Sequence, residues 1–228
     1  MEEKRMKGLR FLFKRGFSHV VMNICSLVII AGILTAVVLA HEPVGAEDYI
    51  MCKIGAHLGV MMSVVFNFMF LCADITGNRL MRSAPISKQL RCFSVPTYCI
   101  LLGGGGTLLV NIFYAIFCIV SGLDMSHLSD MLIVSSSLML CLIIVGTIAM
   151  NINYGMILAI YMVFPLWGVF FVLPGDVWEF GFRLPLWAGA LIFVGTLIVS
   201  VVGAFAIARA FYVKSDFKPM PQAAVYAK

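Results

Sequence analysis

Charge is what this sequence has least of. Asp, Glu, Lys and Arg make up 12% of the chain and hydrophobic residues 62%, against about 25% charged and about 45–50% apolar in a soluble domain. So few charges cannot solvate a globule, and a mean hydropathy of +1.03 places the chain among integral membrane proteins. Paired cysteines are missing too. The seven cysteines form no C-x-x-C pair, which gives neither a disulfide frame nor a metal site and leaves them as small packing residues. The four histidines, His19, His41, His57 and His127, include no H-E-x-x-H pair, so a zinc protease has no ligands here. Ser135 to Ser137 lack the glycine frame of an intramembrane serine protease and read as polar helix-packing residues. "LLGGGGTLL" at 101–109 lacks both the G-x-x-x-x-G-K-[ST] frame and a nearby Lys, which excludes a phosphate-binding loop. No catalytic residue, metal ligand or cofactor site is expected in this chain.

What is present is length without charge. The runs free of Asp, Glu, Lys and Arg are 16–41, 54–73, 92–123, 131–175 and 184–208, and a spanning helix needs about 20 apolar residues. The run 131–175 is long enough for two spans, with the turn-favouring "NINYG" at Asn151 to Gly155 between them. The reading is an all-α membrane protein of six transmembrane helices, near 17–40, 54–74, 96–120, 129–149, 153–173 and 186–210. Residues 1–16 form a cytoplasmic segment, 17–213 the membrane domain and 214–228 a loose tail with two prolines. "VLA" at Val38 to Ala40 resembles a signal cleavage site, but the apolar core before it is longer than the 7–15 residues of a signal, which favours an uncleaved span.

Orientation follows from the cations, since Lys and Arg near span ends stay cytoplasmic. Six lie in the N-terminal segment (Lys4, Arg5, Lys7, Arg10, Lys14, Arg15), four between the second and third spans (Arg79, Arg82, Lys88, Arg91) and four at the C-terminus (Arg209, Lys214, Lys218, Lys228). The alternate loops hold only Lys53 and Arg183, with seven acids. Both termini are expected in the cytoplasm. The net charge of +5 reflects this asymmetry and implies no nucleic-acid partner. Residues 1–16 mix Leu9, Phe11, Leu12 and Phe13 with cations, and fit either an interfacial amphipathic helix or a plain positive-inside flank. The acidic start and Gly8 count against the helix. In the outer segment 174–187, Trp178, Phe180, Phe182 and Trp187 fit an aromatic belt or a short re-entrant helix.

Polar residues inside spans carry the next question, because hydrocarbon penalises them. Gly59, Ser63, Asn67 and Asp74 share one face of the second span, and Thr107, Asn111 and Tyr114 one face of the third. Hydrogen bonds between helices are the favoured role for Asn67 and Asn111. Gly103 to Gly106 favour close helix packing over a hinge.

The basic stretch "GNRLMRSAPISKQLR" at 77–91 has the shape of a short helix: Pro85 suits the first turn, and Ile86 and Leu90 lie opposite Lys88 and Arg91. Here the chain resembles the permease subunits of type-2 ABC transporters, mostly bacterial exporters, whose members often carry "-LPIS(K/R)-" in this loop; Ala84, Pro85, Ile86, Ser87 and Lys88 match it with Ala for Leu. The resemblance implies a plasma-membrane exporter built from two permease copies or two related permeases. Separate ATP-binding subunits would carry ATP and Mg, coupled through Arg82, Pro85, Ile86, Ser87, Lys88, Gln89, Leu90 and Arg91. It also implies a pathway lined from the second and fifth spans, with Ser63, Asn67, Tyr154 and Tyr161 as candidates. The alternative is a stand-alone secondary transporter or channel, for which Asp74 is the only carboxylate near a span.

Overall fold

The computed structural model describes residues 2–16, 24, 64, 67, 68, 71, 87–121, 126–152 and 184–214. Among them every element is helical and there is no strand. Three stretches are long and apolar enough to cross a membrane, Leu90–Ile116, Met131–Asn151 and Leu186–Tyr212, which fits a membrane-embedded protein. They correspond to the expected third, fourth and sixth spans. Of the expected first and second spans, only the helical residues Ile24, Val64, Asn67, Phe68 and Leu71 are described; the fifth lies outside the described residues.

Helix α1 (Glu2–Gly16) forms despite its acidic start and Gly8. The physical reason is the helix dipole: Glu2 and Glu3 sit at the positive end, while Lys14 and Arg15 occupy the last turn. Gly8 and Leu12, one turn apart, are buried, and Lys7, Arg10, Lys14 and Arg15 are exposed. The apolar side of α1 therefore faces protein.

Helix α2 (87–121) is one helical tract made of five consecutive segments, two of which, Leu90–Ser94 and Ile100–Gly104, are π-helical. The tract begins at Ser87, ahead of the span start expected at 96. Pro96 lacks an N–H and its ring crowds the carbonyl four residues back; the wider turn before it, closed by the Val95 N–H donating to the Leu90 carbonyl, lets the helix pass through. The basic stretch and the third span are thus one element over residues 87–91. The second π turn ends in the glycine run, where a Cβ on Gly103 would lie 3.2 Å from both Leu142 and Ile143. Close packing and a loosened helix occur together there.

Helix α3 (Ser126–Ile152) carries the expected fourth span and extends through Asn151. Helix α4 (Leu186–Lys214) starts directly after Pro185, whose carbonyl accepts from the Ala188 N–H at 2.9 Å. The most extensive packing is between α3 and α4, around Met139, Ile143, Phe193 and Ala204. Small residues set its closeness: Gly189, Ser200, Ala204 and Ala208 are buried on α4, as expected where lipid supplies no hydrophobic drive and van der Waals fit decides. A Cβ on Gly189 would lie 3.0 Å from the Ser129 backbone. Large apolar side chains point the other way, with Trp187, Leu191 and Val202 each more than 60% exposed.

Contacts fix the directions. Gly189 meets Ser129 and Gly203 meets Ile144, so α3 and α4 run parallel. Phe93 stacks on Phe205 and Gly104 meets Leu197, so α2 and α4 run antiparallel.

Candidate functional site

The start of α2 is a junction of three helices. On one side α1 lies along it. A Cβ on Gly8 would sit 2.5 Å from Ser94 Oγ, 3.4 Å from Ser94 Cβ and 3.6 Å from Leu90 Cδ1, so the small residue lets the helices approach closely. One turn on, Phe13 meets Tyr98 edge-on, with ring centroids 5.0 Å apart, and Phe68 touches the same ring at 6.2 Å. Leu12, Val95 and Tyr98 are fully buried between the helices. On the other side Phe93 packs on Phe205 at 5.9 Å.

Within that junction the expected coupling residues divide. Lys88 is exposed and Gln89 half-buried, whereas Leu90 and Arg91 are only 3% and 7% exposed. The sequence pattern put Arg91 on the polar side with Lys88; the structure places it inside, within electrostatic reach of Tyr212 on α4. Lys88, Arg91 and Arg209 all act on Cys92, which ties the start of α2 to the end of α4. Ser87 is the first helical residue. Arg82, Pro85 and Ile86 lie outside the described residues.

The expected pathway residues are mostly beyond view: Ser63, Tyr154 and Tyr161 lie outside the described residues, and Asn67 is helical and 8% exposed. Several described polar residues bond within their own helices, whereas Ser129 Oγ donates across to the Pro185 carbonyl at 3.4 Å. Thr107 Oγ1 donates to the Gly103 and Gly104 carbonyls at 2.9 and 3.0 Å, and Asn111 Nδ2 donates to the Thr107 carbonyl at 2.8 Å. Thr147 and Asn151 repeat the pattern on α3, at 2.7 and 2.8 Å. Back-bonding of this kind satisfies a polar group in an apolar helix without linking it to a neighbour. For Asn111 the bond seen among the described residues runs inside its own helix. Its Oδ1, together with Ser94 Oγ, Tyr98 OH and Ser200 Oγ, is buried with no hydrogen-bond partner among the described residues.

Among the described residues no group of three His, Cys, Asp or Glu is placed to hold a metal, and Cys92, Cys99 and Cys141 form no disulfide. Sequence reasoning missed the docking of α1 onto α2 and the stacking of Phe93 on Phe205. A signal for the first was present in Gly8, Leu9, Leu12 and Phe13, whose spacing makes a helix face with a gap at the glycine. No protein-family model matches the sequence, and neither a curated protein nor a solved structure matches it.

Proposed function

We propose that this chain is the membrane permease subunit of an ATP-driven ABC exporter, working as a pair with a second copy or a related permease. In this reading it has six spans with both termini in the cytoplasm of a bacterial cell. It couples to separate ATP-binding subunits, which hold ATP and Mg, through the region 79–91. The observation that carries the reading is the junction itself. Ser87 and Lys88, the end of the match to the family's loop sequence, open a helix of membrane-spanning length that is gripped by α1 and by the end of α4. A push delivered there reaches three helices at once.

Chain direction supports the span count. α1 runs alongside α2 in the same sense, Gly8 at Ser94 and Phe13 at Tyr98, which agrees with the two spans proposed between them. Parallel α3 and α4 agree with the single span proposed between them. The three apolar helices supply three of the six proposed spans.

The test is affinity capture of the tagged chain in mild detergent. An ATP-binding subunit should co-purify, and Lys88→Glu, a reversal at an exposed position, should weaken that capture while the chain stays monodisperse. Arg91 is a poor probe, because a carboxylate at a buried position would unfold the junction. Substrate movement by the reconstituted chain with no ATPase present would overturn the proposal.

A further inference from the structure

We infer that the basic end of the bundle is a binding surface for anionic phospholipid headgroups. It is assembled from three separate segments of the chain. Arg10 and Lys14 lie on α1, Lys88 on the first turn of α2 and Arg209 near the end of α4, and all four are exposed. Packing brings them together: α1 is seated on Leu90, Ser94 and Tyr98, while Phe93 packed on Phe205 sets Lys88 and Arg209 at the same end of the bundle.

Their level along the helix axis selects the partner. The apolar stretch of α2 begins at Leu90, two residues beyond Lys88, and that of α4 ends at Tyr212, so Arg209 lies in its last turn. Lys88 and Arg209 therefore stand where acyl chains give way to headgroups. On the same helix, farther along, Leu101, Leu108, Leu109 and Ile112 are exposed, an apolar wall for the chains of a lipid whose phosphate is held below. An acidic protein would find the charges but would leave this wall unused. A lipid engages both, and long Lys and Arg side chains reach a phosphate plane by extending along the interface. The inference is independent of any ATP-binding partner.

The experiment is native mass spectrometry of the full chain in neutral detergent, titrated with phosphatidylglycerol and with phosphatidylcholine of the same acyl length. Wild type should retain the anionic lipid preferentially, with a preference that falls as salt rises. Each cation removed should lower it roughly fivefold, in Lys88→Gln/Arg209→Gln and further in the variant that adds Arg10→Gln and Lys14→Gln. Gly8→Leu keeps every cation but displaces α1, and should lose the share due to Arg10 and Lys14; charge acting only to orient the chain predicts no loss. Circular dichroism and elution position verify that each variant is folded, and the double variant alone suffices if the fourfold one is not. Equal retention of both lipids by wild type, an unchanged preference in the double variant, or capture of polyglutamate in place of the lipid would overturn the inference.

Discussion

Asn111 shows how a single polar side chain in a membrane helix can mislead. An asparagine in a span suggests a bond to a neighbouring helix or a substrate, yet its amide donates to the Thr107 carbonyl in its own helix and its Oδ1 is buried without a partner among the described residues. A buried acceptor left unmade costs about 1–3 kcal/mol. Asn111→Leu has nearly the same shape and removes that acceptor, so thermal unfolding in detergent should show a midpoint equal to wild type or raised, by up to about 1 kcal/mol of stability. A bond between helices would instead lose on the order of 1 kcal/mol, and a lowered midpoint would show that the back-bonded description is wrong. Arg91 teaches the converse. Residue type put it on the polar face with Lys88, but a guanidinium on a long apolar stem can be covered by packing, and only the three-helix geometry reveals that it is.

Elements were legible in the sequence where apolar length decided them. The runs 92–123, 131–175 and 184–208 predict α2, α3 and α4 with starts right to within a few residues for the last two. The start of α2 was not legible, because proline reads as a helix boundary and nothing in residue order announces the π turn that carries the helix past Pro96. α1 was half legible: its composition fits an interfacial helix, but Gly8 counts as a weakness until Ser94 is seen against it. That contact has a direct test. The ideal Cβ of Gly8 lies 3.4 Å from Ser94 Cβ, close to the ~3.5–4.5 Å that a disulfide bridges. In a background without the native cysteines, Gly8→Cys/Ser94→Cys should cross-link on mild oxidation, holding an N-terminal fragment to the rest after proteolytic cleavage between the two positions. A control pair with Arg10→Cys, on the exposed side of α1, should not. Cross-linking of the control as readily as of the test pair would mean that α1 is not seated as described.

At the scale of the whole molecule, large apolar side chains cover the outside of the described bundle as well as filling its core. Small and polar residues such as Gly189, Ser200, Thr147 and Asn151 face inward, while Leu109, Ile119, Val120 and Leu191 face out. Only a surrounding of lipid makes that arrangement favourable, since in water so much exposed apolar area would drive association. The bundle also has two chemically different ends. Exposed Lys88 and Arg209 mark one, and exposed Trp187 and Pro185 the other, the division on which the proposed orientation rests. Because α2 and α4 are antiparallel, the start of one and the end of the other must lie on the same side of the membrane, so two probes test a single placement. In intact cells an impermeant thiol reagent should label Trp187→Cys, and should reach Lys88→Cys and Arg209→Cys only after permeabilisation. Labelling of Lys88→Cys and Arg209→Cys from outside would invert the molecule and remove the basis for cytoplasmic coupling. Labelling of only one of the two from outside would contradict the antiparallel packing itself.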